Sequence, residues 1–459
     1  MALDRNLVVL LTSGMRSDVF SYLARWPVNT PHFDDLATWG ISLPATTVSP
    51  AAGPARASLF TGLHPRQHGM LDEGTPAPST TTWVHQLREA GYHIVSVGNV
   101  QPIADLCHRH CPVADVSTLA NNDCAYLKQM ADRGRLDAVQ QQRRTRLETG
   151  PFDMQPNPIP AEEDVDTFIA EQAGLAIETM PTDRPWVLIV NFTGPGNDLP
   201  APDRFSKHID AAALHRGFAP ADLAALDQYA EIPYPRTLIQ NLNGERISRI
   251  RQHYLARVAL LDHGLGRIRS ALDKHDLGST TWITHCSDRG QLLGERGLVG
   301  HRSLLGPAVT VPLWILPPET MNDLPIRKSG ETLAAHRLVG TVDFVATLCA
   351  IAGVDPPRGC DGQSVLPAMH HSEVGRDHVL CEYSNRCMLE TMQHRIIYDV
   401  DTQHPRALFD LLRDPDELND LVGTTTAVGV LDMLQWQLAS ALLPLRPILP
   451  LNGRSPLPA

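Results

Sequence analysis

The sequence predicts an α/β protein with a large, mostly parallel sheet sandwiched by helices, followed by a small C-terminal α+β subdomain. The first strand candidate, Asn6–Thr12, is a continuous apolar run, which is typical of a central parallel strand buried on both faces. Further short apolar runs alternate with helical patterns, as they do in βαβ units. Beyond residue 372 the pattern changes to closely spaced short strands and one final helix.

The elements of the main sheet follow one another along the chain. The first helix is predicted to begin at Pro31, with Thr30 as its cap, and to end at Gly40. The next predicted elements are a helix at 83–90, a strand at 94–98, a helix at 165–180, a strand at 186–192, a helix at 247–275, strands at 282–286 and 307–318, and a helix at 342–352. This alternation predicts parallel strands joined by helical crossovers.

The predicted elements of the C-terminal part are shorter strands followed by one helix, and they do not alternate with helices. Its predicted elements are strands at 379–381, 395–400 and 407–410 and a helix at 430–443. We therefore predict a main domain over residues 1–371 and a subdomain over 372–459. Within the main domain, residues 105–163 are polar and rich in Arg and Gln, and we expect them to form an irregular insertion.

Composition and charge exclude several classes of protein. The 459 residues carry 39 basic and 51 acidic side chains, a formal net charge of −12, which disfavours a nucleic-acid partner. No run reaches the roughly 20 apolar residues that a membrane span requires. The N-terminal apolar run is short and lacks a small-residue cleavage site, so we expect a cytoplasmic protein whose eight cysteines are reduced.

Three stretches carry a family resemblance. They are GPARASLFTG at Gly53–Gly62, THCSDRGQLLGERGLVGH at Thr284–His301, and TPHFDDL at Thr30–Leu36. Together they resemble the sulfatase family of the alkaline phosphatase superfamily, with its C-x-P-x-R-x-x-x-x-T-G and S-D-H-G signatures. The first stretch is similar to the phosphonate monoester hydrolase branch. The resemblance implies an alkaline phosphatase-like fold and a site for sulfate or related esters.

The positions that hold the family's divalent cation are altered in this sequence. The resemblance places Ser13 and Gly14 where the family has two adjacent aspartates, keeps the third as Asp288, and places Arg289 at the next ligand position. A cation such as Ca²⁺ takes about six to eight oxygen ligands, several of them carboxylates. A guanidinium cannot ligate a cation, so we expect no metal and no other cofactor.

The nucleophile of the family is also missing. The resemblance places Ala52 where the family has a Cys or Ser, and Ala has no nucleophilic atom. We therefore assign no catalytic residue. Relocation of the nucleophile to Ser49 or Ser58 stays open at this point.

The remaining polar residues predict a pocket for an anion. The family's Lys and His after the second predicted strand correspond to Asn99 and Gln101, and its late Lys corresponds to His301. The guanidinium of arginine can donate two parallel hydrogen bonds to a sulfate, phosphate or carboxylate group, and a helix N-terminus favours negative charge. The ligand-binding residues predicted here are Ser13, Arg56, Asn99, Asp288, Arg289 and His301.

These observations predict a sulfatase-like protein that has lost metal-dependent ester hydrolysis and binds a small anionic ligand or a protein partner, such as an active relative or a second copy of itself. One alternative is an active hydrolase of sulfate, phosphate or phosphonate esters with a rebuilt site. Another is a metal-free enzyme of different chemistry that uses Arg56, Asp288 and His301. In a third, Arg289 pairs with Asp288 and fills the pocket.

Two further features lie outside this pocket. Cys107, Cys111 and Cys124, with a nearby histidine, could supply four zinc ligands, although the spacing between the first two is unusual; ordinary thiols are the competing interpretation. His64 and His68 follow the first signature and are expected to form structural hydrogen bonds.

Overall fold

The computed structural model describes a seven-stranded sheet, a four-stranded sheet and a two-stranded sheet, together with their helices. The described residues are 6–73, 80–99, 106–113, 124–152, 154, 157–196, 199–214, 229, 236–321, 337–370, 373–425 and 427–443. No helix among them has the length and apolar character needed to cross a membrane.

The larger sheet has seven strands, which in chain order are β1 (Asn6–Ser13), β2 (Ile41–Thr46), β3 (His93–Gly98), β4 (Arg109–Pro112), β5 (Trp186–Pro195), β6 (Thr281–Ser287) and β9 (Thr310–Leu316). The short strands β7 (Leu292–Leu293) and β8 (Val299–Gly300) pair with each other outside this sheet. The order of strands across the larger sheet is β2-β9-β6-β1-β5-β3-β4. Strand β9 pairs antiparallel with β2 and β6, and the other neighbouring pairs are parallel. The predicted fold class is confirmed.

Helices cover both faces of this sheet. In chain order they are α1 (Pro31–Trp39), α2 (Ala52–Thr61), α3 (Pro65–His68), α4 (Trp83–Glu89), α5 (Ala125–Asp132), α6 (Leu136–Thr149), α7 (Val165–Ile177), α8 (Asp203–Ser206), α9 (Arg236–Gln240), α10 (Gly244–Lys274), α11 (Gly306–Val309) and α12 (Thr341–Ala352). One face packs against α1, α7 and α10, and the other against α2, α4 and α12. Strand β1 is buried throughout because its alternate side chains enter these two cores.

The C-terminal part forms a second, four-stranded antiparallel sheet. Its elements are β10 (His378–Tyr383), β11 (Arg386–Thr391), β12 (His394–Asp399), β13 (His404–Asp410) and α13 (Val428–Leu442). Helix α13 packs on one face through Leu434 and Leu438. Residues on the other face, such as Met388 and Phe409, join the core of the main sheet. The predicted domain boundary falls at residues 371 and 372, which lie outside the described residues, and it stays a prediction.

Several expectations about individual elements were wrong. The insertion predicted at 105–163 is not irregular where it is described, because it contains β4, α5 and α6. Thr30 does not cap α1 with its side chain; its hydroxyl accepts from the Ser21 N–H at 2.8 Å and donates to Asp34 at 2.8 Å. The strand predicted at 307–318 begins with the short helix α11, and strand β11 was missed.

Candidate functional site

The carboxyl ends of the parallel strands bring the predicted residues to one edge of the sheet. Ser13 ends β1, Asn99 follows β3, and Asp288 follows β6. In open α/β sheets this edge is where ligands bind. Helix α2 begins at Ala52 and contributes Arg56 from its second turn. The structure thus brings Ser13, Asn99, Asp288 and Arg56 to one edge of the sheet, and their roles in ligand binding stay predictions.

Asp288 is the fixed centre of this site. It is 1% exposed, and its carboxylate accepts from the Ser13 hydroxyl at 2.9 Å and from the Gly14 N–H at 3.2 Å. The nearest cation is Arg56, whose Nη2 lies 3.8 Å from Asp288 Oδ2. Asp288 is thus held by neutral donors and one partly buried guanidinium.

Arg56 is oriented by a residue that the sequence reasoning missed. Its Nη2 donates to Asn191 Oδ1 at 3.3 Å, and Asn191 Nδ2 donates to the backbone carbonyl of Asn99 at 2.6 Å. Asn99 therefore positions Asn191 through its main chain. The available signal was Asn191 itself, a fully buried polar side chain near the end of the apolar strand β5.

Arg289 occupies the space where a side chain at position 14 would lie. A Cβ atom on Gly14 would be 2.6 Å from Arg289 Nη1, and one on Gly196 would be 2.9 Å from it. Gly14 also has φ +75°, a conformation that side chains rarely adopt. The guanidinium thus takes the place that the resemblance gives to a metal-binding aspartate.

The Arg289 guanidinium is buried, but only part of its hydrogen-bonding capacity is used by the described residues. The residue is 5% exposed, and Nη2 donates to the Gly196 carbonyl at 3.4 Å. Its Nε and Nη1 have no hydrogen-bond acceptor among the residues that the structure describes. No ion pair within 4.0 Å joins Arg289 to Asp288, although both residues are described, so the filled pocket with a direct Asp288–Arg289 pair does not form.

The donor set does not fit the divalent cation that the fold family implies. The described residues near Asp288 offer its own carboxylate and the Ser13 hydroxyl, with the Arg289 guanidinium at the position of a further ligand. Nowhere in the described part of the chain do three or more His, Cys, Asp or Glu side chains come together to hold a metal. That search covers Cys107, Cys111 and Cys124, and burial raises the pKa of Cys107 to about 11.

The start of α2 is occupied by a carboxylate that the sequence reasoning also missed. The Ala52 N–H donates to Glu73 Oε1 at 3.3 Å, and Arg302 Nη2 donates to Glu73 Oε2 at 2.9 Å. His301 Nε2 lies 3.8 Å from Glu73 Oε1. The contact with His301, aided by the charges of Arg302 and Arg289, lowers the pKa of Glu73 to about 2. Glu73 is therefore ionised, and His301 faces it.

The two serines considered as relocated nucleophiles have structural partners. Ser58 Oγ lies 3.0 Å from His68 Nε2, and both side chains are buried. Burial lowers the pKa of His68 to about 4, so the imidazole is neutral near pH 7. Ser49 Oγ accepts from the Ala51 N–H at 3.3 Å. His64 lies 3.4 Å from Asp361, in agreement with its expected structural role.

The fold and the placement of this site define an alkaline phosphatase-like α/β protein. The family model for Sulfatase matches residues 5–354, and the model described as N-sulphoglucosamine sulphohydrolase, C-terminal, matches residues 294–442. The chain belongs to the sulfatase family.

Its relatives are distant in sequence. The choline-sulfatase of Rhizobium meliloti (strain 1021) is 25% identical, with 82% of this chain and 74% of the relative covered. The multifunctional alkaline phosphatase superfamily protein PehA of Trinickia caryophylli is 22% identical, with 95% and 96% covered. The structure of the phosphonate monoester hydrolase SpPMH from Silicibacter pomeroyi superposes with a TM-score of 0.79 at 20% identity, covering 95% of each chain. That structural likeness concerns the fold alone.

Proposed function

We propose that this sulfatase-family protein binds a small oxyanion at the edge of its main sheet and does not hydrolyse sulfate, phosphate or phosphonate esters by the metal-assisted route of its family. The observation that carries the proposal is the buried Arg289 guanidinium. It lies where a side chain at position 14 would be, and its Nε and Nη1 find no acceptor in the described part of the chain. A buried donor without an acceptor is costly, and a bound anion supplies acceptors.

The loss of hydrolysis follows from two separate deficits. Ala52 has no atom that could form a covalent ester intermediate. Asp288, with the Ser13 hydroxyl, supplies too few oxygen ligands for a hard cation, and Arg289 repels one. Either deficit alone would remove the family's chemistry, and repair of one leaves the other.

The charges around the site favour an anion as ligand. Among the described residues, the site holds three guanidiniums, those of Arg56, Arg289 and Arg302, and two carboxylates, those of Asp288 and Glu73. The site thus has an excess of positive charge before His301 is counted. A sulfate, phosphate or carboxylate group would balance it with charge-assisted hydrogen bonds. The identity of a protein partner, including a second copy or an active relative, stays a separate prediction.

A thermal-shift titration tests anion binding. Sulfate is added to tens of millimolar against sodium chloride of equal ionic strength, so that general screening cancels. A ligand that binds only the folded state raises the melting temperature through RT ln(1 + [L]/Kd). We expect a sulfate-specific rise in the wild type and none in Arg56→Ala.

The matched control is Arg267→Ala, which removes an arginine from a surface pair with Glu171. This variant should keep the sulfate response of the wild type. Absence of a sulfate-specific rise in the wild type, at pH 6 as well as pH 8, would overturn the proposal.

A further inference from the structure

We propose that Glu73 is a built-in anion that occupies the half of the site at the N-terminus of α2, so that an external oxyanion binds in the half beside Arg289. This inference rests on the proposed function and divides its site into two parts. The helix half consists of the Ala52 N–H, Arg302 and His301. The other half consists of Arg289 with Arg56.

The contacts of Glu73 are those that an oxyanion ligand would make. One oxygen accepts from the first amide of a ten-residue helix at 3.3 Å, and the other accepts from the Arg302 guanidinium at 2.9 Å. An imidazole, that of His301, lies 3.8 Å from the first oxygen. Helix amides, guanidinium and imidazole are common donors to sulfate and phosphate. The carboxylate therefore stands in for a ligand.

The chain segment that carries Glu73 packs against the start of α2, while the Glu73 side chain itself is 39% exposed. A Cβ atom on Gly53, in the first turn of α2, would lie 2.7 Å from Met70 Cε and 3.8 Å from Glu73 Cα. The segment from Met70 to Glu73 thus lies directly on the helix start. The Ser384 N–H, which follows β10, donates to the Leu71 carbonyl at 3.3 Å and ties the segment to the second sheet.

The second half of the site has its own indication of a ligand. Arg289 is 5% exposed, and two of its nitrogens lack acceptors among the described residues, whereas the donors of the helix half already contact Glu73. No ion pair within 4.0 Å joins Arg289 to Glu73 in this described region, yet the Arg289 charge helps to lower the Glu73 pKa. Arg56 lies four residues after Ala52, one turn along α2, so the two halves are adjacent and negative charge in one opposes negative charge in the other.

Isothermal titration of sulfate into the full chain tests this division. Glu73→Gln keeps an acceptor for the Ala52 N–H but removes the charge, and Glu73→Ala also removes the side chain. We expect sulfate to bind about fivefold tighter or more in both variants, because a like charge within several ångströms of the ligand is removed. Glu171→Gln, which removes a carboxylate from a surface pair with Arg267, should leave the affinity unchanged.

The outcomes separate this inference from the proposed function. Equal or weaker sulfate binding in both Glu73 variants would overturn the inference, since Glu73 would then be neutral toward the ligand or would position Arg302 and His301 to hold it. Binding to the wild type would still uphold the anion site in that case. No binding to the wild type or to either variant would overturn both.

Discussion

The substitution Arg289→Met tests whether the Arg289 guanidinium serves ligand binding or the stability of the fold. Nε and Nη1 of Arg289 are buried with no acceptor from the described residues, and the hydrogen bond from Nη2 to the Gly196 carbonyl is long, at 3.4 Å. Each unsatisfied buried donor costs about 1–3 kcal/mol, whereas a typical hydrogen bond contributes about 0.5–1.5 kcal/mol. Methionine matches the arginine side chain as far as the Nε position and needs no acceptor.

We therefore expect Arg289→Met to raise the free energy of unfolding by about 1–3 kcal/mol when no oxyanion is present. Urea unfolding followed by tryptophan fluorescence measures this change as a shift in midpoint at a constant slope. Saturating sulfate should stabilise the wild type by about 2.7 kcal/mol at one hundred times Kd. The variant should not respond, so its advantage should shrink or reverse.

The matched control is Arg257→Met. Arg257 is equally buried, but it is paired with Asp164 at 3.0 Å and with Asp166 at 2.6 Å. Removing this partner leaves buried carboxylates uncompensated, so Arg257→Met should destabilise by about 3–5 kcal/mol. A comparable loss of stability in Arg289→Met without sulfate would refute the reasoning, because Arg289 would then be a structural cation.

Three further predictions concern metal binding at the site, hydrolysis at the site and a buried carboxyl group outside the site. Millimolar Ca²⁺ should leave the melting temperature unchanged, and elemental analysis should find no stoichiometric divalent cation; a cation lost in Asp288→Ala would contradict this. Aryl sulfates, phosphodiesters and phosphonate monoesters should not be hydrolysed above background, and Ala52→Cys or Ala52→Ser should not restore hydrolysis. Burial raises the pKa of Asp262 to about 7, so the contribution of this residue to the free energy of unfolding should fall as pH rises from about 4 to 7. Asp262→Asn should therefore stabilise the protein at pH 8 by about 2–4 kcal/mol, measured by urea unfolding.

Most of the fold could be predicted from the sequence because the main strands are apolar on both faces. Asn6–Ser13 and Trp186–Pro195 could be predicted closely, since parallel strands between two helix layers bury nearly every side chain. Strand β11 was missed because its Arg386 and Glu390 interrupt the apolar run. The helices within 105–163 were missed because their exposed faces are polar, which lowers the signal for a buried stripe.

The site could be predicted only in part. Motif order placed Asp288, Arg289 and Arg56 at one edge of the sheet, because chain order fixes which strand ends meet there. Glu73 and Asn191 had no such motif, and their roles depend on tertiary contacts with Ala52 and Arg56. The absence of a direct Asp288–Arg289 pair likewise depends on the direction that Arg289 takes past Gly14, which a linear sequence does not encode.

A crystal structure of the protein with both sulfate and Ca²⁺ tests the central claim most directly, because the anomalous signals of sulfur and calcium distinguish the two ions. We expect sulfate against Arg289 and Arg56, with an oxygen that accepts from Nε or Nη1 of Arg289, the two nitrogens without an acceptor among the described residues, and no calcium at Asp288. Calcium bound to Asp288 with Arg289 turned away from Gly14 would contradict the account.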